Sequence, residues 1–142
     1  LRAEARAWFE ANWDPDQPLK TWWETLARSG WAFPTFPSEF GKDLTSDEAT
    51  MVEEERQHAG AAPPPSTVGP RVIAPLILRH GTDEQRNHYL LPTIAGQAVW
   101  CELFSEPGAG SDLASLATKA TKAHDDPNGD PNGDWIVNGQ KV

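Results

Sequence analysis

The hydrophobic pattern changes period near residue 97. Up to about residue 96, apolar residues recur at helical spacing, as in Leu1, Ala5, Trp8 and Phe9, or Leu19, Trp22, Trp23 and Leu26. Beyond Gly96 they come in short runs, Ala98 to Phe104 and Trp135 to Val137, separated by turn residues. A period of 3.6 buries one stripe of a helix, whereas short apolar runs bounded by glycine and proline build strands. The expectation is an α+β chain, with an α-helical domain over 1–97 and the beginning of a β domain over 98–142.

Punctuation residues divide the helical part. Pro18 sits at a plausible first turn, and Gly30 marks the stop of the helix carrying Trp22 and Leu26. Phe33-Pro-Thr-Phe-Pro37 through Gly41 is too rich in proline for a helix. Thr45-Ser-Asp-Glu48 is a capping box that opens a helix through about His58, and Thr82-Asp-Glu-Gln85 is a second one opening the helix of Tyr89 and Leu90. Between them, Ala61-Ala-Pro-Pro-Pro-Ser66 interrupts the chain. Pro70 opens a helix with Val72, Ile73, Leu76 and Ile77 on its apolar face, Pro75 kinks it or resets its start, and Gly81 ends it. In the second part, Ala114 to Ala123 reads as a strand. Trp135 to Val137 leads into Asn138-Gly139, a strong hairpin-turn signal. Asp126-Pro-Asn-Gly-Asp-Pro-Asn-Gly-Asp134 has no apolar residue and reads as a solvated hairpin tip. It lacks the far glutamate that a calcium loop requires.

Composition excludes several classes. Twelve basic against twenty-one acidic residues give a net charge of −9, which argues against nucleic acid or an anionic membrane surface as a partner. No apolar run approaches the roughly 20 residues of a membrane span, and the first residues do not resemble a signal peptide. The single Cys101 has no internal disulfide partner, which fits a reducing, cytoplasmic setting. His58, His80, His88 and His124 show no metal-ligand spacing with Cys101, so no metal is expected. The acidic run Glu53-Glu-Glu55, with Asp47 and Glu48, reads as an exposed helix face. Most of the seven tryptophans are expected to pack rather than to touch a ligand.

The residues richest in chemistry are Phe104-Ser-Glu-Pro-Gly-Ala-Gly-Ser-Asp-Leu-Ala114. Gly108 and Gly110 allow the backbone to turn and a ligand to approach, Ser105 and Ser111 supply hydroxyls, and Ala98 to Phe104 reads as a strand delivering the loop. Such a loop gathers backbone N–H groups into a concavity suited to a pyrophosphate. The stretch Leu103 to Asp112 resembles the flavin-binding signature of the acyl-CoA dehydrogenase family, a Thr or Ser followed by Glu-Pro-x-x-Gly-Ser-Asp. Three further segments resemble the same family in the same order. They are Leu26-Ala-Arg-Ser-Gly-Trp31 with Pro34, Pro37, Glu39 and Gly41; His80-Gly-Thr-Asp-Glu-Gln-Arg86 with Tyr89-Leu-Leu-Pro92 and Gly96; and Trp135-Ile-Val-Asn-Gly-Gln-Lys-Val142.

The resemblance implies a helical N-terminal domain over 1–97, the first strands of a middle β-barrel domain over 98–142, and a C-terminal helical domain absent from this sequence. It implies FAD as cofactor and an acyl-CoA as substrate. A carboxylate would take the α-proton while the β-hydrogen leaves as hydride to flavin N5. Glu102, Leu103, Phe104 and Ser105 would lie along the flavin, and Gly110 and Ser111 at the pyrophosphate, with Ser111 also touching the acyl-CoA. The catalytic base would come from the C-terminal domain, so no catalytic residue is expected here. Glu106 and Asp112 are read as caps or solvated groups rather than as that base. The sequence stops at Val142, short of the family's flavin-contacting Trp and hydroxyl residue, so the expectation is a fragment that alone binds FAD poorly and does not dehydrogenate. The resemblance further implies an electron-transfer flavoprotein or similar acceptor and a homo-oligomer, dimer or tetramer, at full length. A flavoprotein oxidase or monooxygenase of the same fold stays open, as does a non-enzymatic helical interaction module.

Overall fold

In the computed structural model, which describes residues 1–122 and 134–142, the chain forms two compact units, Leu1–Cys101 and Glu102–Val142. The first contains α1 (Arg2–Asn12), α2 (Leu19–Arg28), α3 (Ser46–His58), a π-helical turn (Gly69–Ile73) running into α4 (Ala74–His80), and α5 (Asp83–Ile94). The second contains a short 3₁₀ turn (Leu113–Ser115) and two antiparallel strands, β1 (Lys119–Lys122) and β2 (Trp135–Asn138). A helical N-terminal domain with a small two-stranded sheet is the architecture the hydrophobic pattern implied.

The core of the first unit is an aromatic and aliphatic cluster on the inner stripes of α1, α2 and α5. Ala5, Phe9, Trp22, Leu26, Leu90 and Ile94 have no solvent exposure, and each large apolar side chain so buried contributes about 1.5–3 kcal/mol. Trp22 is the hub, with ring centroids 4.9 Å from Trp13, 5.8 Å from Trp8 and 6.5 Å from Phe9. Its indole Nε1 donates to the Ala62 carbonyl at 2.8 Å, and the neighbouring Trp23 Nε1 donates to the Pro63 carbonyl at 2.9 Å. Two consecutive indoles therefore fasten the proline-rich segment, whose prolines have no N–H to bond with, against α2.

Local end signals act as their chemistry dictates. Thr45 and Thr82 each form a reciprocal capping box, with Glu48 and Gln85 respectively. Gly30 follows α2 in the left-handed region (φ 80°), and a Cβ there would sit 2.4 Å from the Gly41 carbonyl oxygen. Pro75 resets the winding. The Ala74 N–H bonds to the Gly69 carbonyl in the wide π pattern, and α-helical winding starts at Ala74; Pro75, without an N–H, cannot continue either ladder there.

Four expectations are corrected by tertiary structure. The π turn shifts the helical phase, so Gly69, Pro70 and Ala74 are the buried residues while Val72 and Leu76 are 38% and 49% exposed. Only Ile73 and Ile77 of the expected apolar face are half-buried. The run Ala98 to Phe104 is not a strand. Its first part folds back on α5, with the Gln97 and Ala98 N–H groups donating to the Pro92 carbonyl and Trp100 Nε1 donating to Thr93 Oγ1 at 2.9 Å. Glu55 is not on an exposed face: it is 1% exposed and receives Arg2 Nη1 at 3.0 Å and Arg6 Nε at 2.7 Å, joining α1 to α3. These bonds, Arg6 first, hold its carboxyl at about 2, well below the usual carboxylate range.

The fourth correction concerns the second unit. Asn138 pairs with Lys119 at the end of the ladder, and among the described residues no strand follows Asn138-Gly139. Gly139 instead lies against Thr118, where a Cβ would fall 2.0 Å from Thr118 Oγ1 and 2.8 Å from its Cα. β1 is shorter than the expected Ala114–Ala123 because Leu113–Ser115 winds as a 3₁₀ turn. The expected solvated tip, Asp126 to Asp134, lies outside the described residues except for Asp134, as does His124.

Candidate flavin-loop site

The signature loop of the second unit is built around Glu106. Pro107 and Gly108 form a tight turn closed by two bonds, Glu106 N–H to the Ala109 carbonyl at 2.8 Å and Ala109 N–H to the Glu106 carbonyl at 3.0 Å. Ala109 is buried at its centre, 3% exposed. The Glu106 carboxylate accepts three donors. They are the Ala117 N–H at 2.8 Å, the Thr118 N–H at 2.9 Å and the Lys141 ammonium at 3.0 Å. Thr118, the Ala117 N–H and Lys141 hold the carboxyl at about 2. The Thr118 hydroxyl lowers the carboxyl most although it is buried without an aligned bond, and the Thr118 N–H adds a direct one at 2.9 Å.

Lys141 makes a second bond, to the Phe104 carbonyl at 3.1 Å, and the Val142 N–H donates to the Ser105 carbonyl at 3.1 Å. The loop is thus tied on one side to residues 117 and 118, just before β1, and on the other to residues 141 and 142, just after β2. Asp112 precedes the 3₁₀ turn without a side-chain cap bond, and Ser115 Oγ donates to its main-chain carbonyl at 2.9 Å. Of the two carboxylates, one is an anchor and the other is exposed to solvent. Neither is arranged as a general base.

The residues singled out from sequence fall on the outward side of this loop. Leu103 and Phe104 are 60% and 63% exposed, and Glu102, Gly110 and Ser111 are exposed while Ser105 is half-buried. Among the described residues, the Gly110 and Ser111 N–H groups and the Ser105 and Ser111 hydroxyls have no protein hydrogen-bond partner. A Cβ at Gly108 or Gly110 would meet nothing within 4 Å, and neither residue has a positive φ. The glycines are therefore not demanded by the loop's own backbone. They leave the backbone of the loop uncovered, with unpartnered N–H groups and hydroxyls and the exposed Leu103 and Phe104 in the same stretch.

The first unit carries a separate feature, an open cavity of about 400 Å³ lined by Ile73, Ile77, His80, Gln85, Tyr89 and Trp100 among others. Among the described residues no group of three or more His, Cys, Asp or Glu side chains is placed to hold a metal ion. No described helix is long and apolar enough to cross a membrane.

The loop is legible in the sequence, but its anchors are not. Glu106 and Lys141 lie 35 residues apart in numbering, and nothing local marks them as partners. The Glu55 clamp did leave a signal. Val52 and Glu55 are three residues apart on the inward stripe of α3, and Arg2 and Arg6 are four apart on one face of α1.

Comparison with known proteins bears on the whole chain. The family model for the N-terminal domain of acyl-CoA dehydrogenases matches residues 1–97. Acyl-CoA dehydrogenase FadE34 of Mycobacterium tuberculosis is 41% identical over 117 residues, covering 82% of this chain and 15% of the relative. The mitochondrial long-chain specific acyl-CoA dehydrogenase of Sus scrofa is 34% identical over 102 residues, covering 72% of this chain and 21% of the relative. Among solved structures, the ChsE4-ChsE5 complex from Mycobacterium tuberculosis superposes with a TM-score of 0.58 at 31% identity, covering 99% of this chain and 36% of that one. A variant of the Tcur3481-Tcur3483 steroid ACAD gives 0.63 at 28% identity, with coverages of 99% and 38%. The chain spans only 15% to 41% of the length of such curated relatives. With a family model over residues 1–97 and relatives of one kind on both counts, this chain belongs to the acyl-CoA dehydrogenase family.

Proposed function

We propose that this chain forms the helical domain, over 1–97, and the flavin-loop portion, opening at 98, of an FAD-dependent acyl-CoA dehydrogenase that introduces a double bond between the α and β carbons of an acyl-CoA thioester. The observation that carries the reading is the open side of the Ser105–Ser111 loop, where unpartnered N–H groups and hydroxyls stand beside the exposed Leu103 and Phe104. Those residues fit the two halves of the cofactor. Leu103, Phe104 and the backbone of Glu102 offer an apolar flank for the ring system, with the Ser105 hydroxyl as a donor beside it. Gly110 and Ser111 offer N–H groups to the pyrophosphate, a pattern that holds anions without a cationic side chain. Ser111 would also touch the acyl-CoA.

FAD, when bound, supplies the two-electron acceptor for the β-hydrogen. The part of this chain in the reaction is to bind, orient and exclude water. An N–H donor aimed at a developing negative charge costs no reorganisation when the charge appears. Neither loop carboxylate takes the α-proton in this reading, because Glu106 is held ionised by three donors and Asp112 is exposed. The working form is proposed to be an oligomer that passes electrons to an electron-transfer flavoprotein or a similar acceptor. Its setting is proposed to be cytoplasmic, and its acyl group that of a fatty acid in β-oxidation or of a steroid side chain.

The test is to purify the protein at its natural length and supply a fatty acyl-CoA and a steroid-side-chain acyl-CoA in turn. The reading expects bound FAD and a 2-enoyl-CoA product that forms with an artificial electron acceptor and little oxygen uptake. Oxygen consumption matching turnover would make the protein an oxidase, and a colourless protein would refute the flavin reading.

A further inference from the structure

Glu106 is a carboxylate that the proposed reaction does not use, and it accepts three donors. Glu106 is 8% exposed at its side chain and lies where three described stretches of the unit meet: the signature loop, residues 117–118 and residues 141–142. A carboxylate accepting two backbone N–H groups and one ammonium fills three of its roughly four acceptor sites, and charge-assisted bonds of this kind are the strong ones. Lys141 closes the arrangement, since one ammonium bridges the Glu106 carboxylate and the Phe104 carbonyl. Its positive charge also cancels a negative charge that would otherwise stand in a loop proposed to receive a pyrophosphate.

We infer that Glu106, together with Lys141, is the positioning residue of this site: it locks Phe104–Ser111 into the open shape that presents the Gly110 and Ser111 N–H groups, without itself touching ligand. The inference rests on the flavin-loop reading for what the shape serves, but the lock is a property of the chain alone. A binding loop held by a supporting shell loses less freedom when ligand arrives, so releasing the lock weakens binding without removing any contact to ligand. The acidity of Glu106 keeps the lock closed throughout the neutral range.

The experiment compares Glu106→Ala, Glu106→Gln and Lys141→Met in the protein at its natural length by amide hydrogen exchange without ligand and by titration with FAD. In Glu106→Ala the Ala117 and Thr118 amides should exchange at the rate of free amides, while the β1–β2 ladder amides keep their protection. FAD affinity should fall about tenfold or more, the scale on which supporting contacts around a site act. Lys141→Met should leave Ala117 and Thr118 protected, because their acceptor remains, and should weaken FAD less. Glu106→Gln, which keeps one carbonyl oxygen, should fall between the wild type and Glu106→Ala. Unchanged exchange at Ala117 and Thr118 in Glu106→Ala would overturn the lock. Released amides with unchanged FAD affinity would overturn the positioning role. A wild type that binds no FAD would overturn the flavin reading, and the ligand-free exchange comparison would still decide the lock.

Discussion

Trp22 and Trp23 are adjacent, and both donate to carbonyls of the same proline-rich segment, yet their removal should differ in cost. Trp22 has no exposed surface and its Nε1–H reaches the Ala62 carbonyl at 2.8 Å. Trp22→Phe leaves that carbonyl short of a donor where water enters poorly, a cost of about 1–3 kcal/mol. The lost ring volume leaves a cavity worth roughly a further 1 kcal/mol at about 24 cal/mol per Å³. The expected total is about 2–4 kcal/mol. Trp23 is half-buried and its bond to the Pro63 carbonyl lies at the surface, where water replaces the indole. Trp23→Phe should therefore cost only about 0.5–1 kcal/mol. Urea denaturation followed by helical circular dichroism measures both. With a slope of about 2 kcal/mol per M, the midpoint should drop by about 1–2 M for Trp22→Phe and by under about 0.5 M for Trp23→Phe. Equal shifts, or a larger one for Trp23→Phe, would refute the claim that burial around Trp22 sets the strength of this junction.

Three other outcomes are expected. The Glu55 carboxyl titrates at about 2 in the folded chain, below its usual value near 4.5, so its contribution is complete above that value and disappears as pH falls toward 2; acid titration of Glu55→Gln should show a shallower loss of stability over that window. Gly139→Ala places a methyl 2.0 Å from Thr118 Oγ1; overpacking of this kind costs about 1–3 kcal/mol, read as faster amide exchange in β1 and β2 with the helical unit unaffected. Thr45→Ala removes one side of the α3 capping box and should lower stability by about 1 kcal/mol, with Thr45→Ser restoring most of it in the same thermal scan.

What could be read from the sequence was what depends on neighbours in sequence. The capping boxes at Thr45 and Thr82 need only a partner three residues on, and both formed. The reset at Pro75 needs only a missing N–H. The run Ala98 to Phe104 looked like a strand because it is apolar, but the Trp100 indole was claimed by Thr93 and the Gln97 and Ala98 amides by Pro92. Asn138-Gly139 carries a turn signal, while the glycine's use is the close approach to Thr118. The acidic run of α3 hid Glu55, whose burial depends on two arginines of α1 that composition cannot pair with it. The loop itself was visible as glycines and hydroxyls in order. Its support from Ala117, Thr118 and Lys141 was not, because those donors come from both sides of a hairpin.

The Ser105–Ser111 loop is proposed to serve a flavin that accepts hydride from an acyl-CoA. The most direct measurement is the visible spectrum of the protein at its natural length, taken anaerobically before and after adding acyl-CoA. Oxidised flavin bands should be present and should bleach on addition. Flavin bands that persist with every acyl-CoA offered, or a protein with no flavin at all, would contradict it.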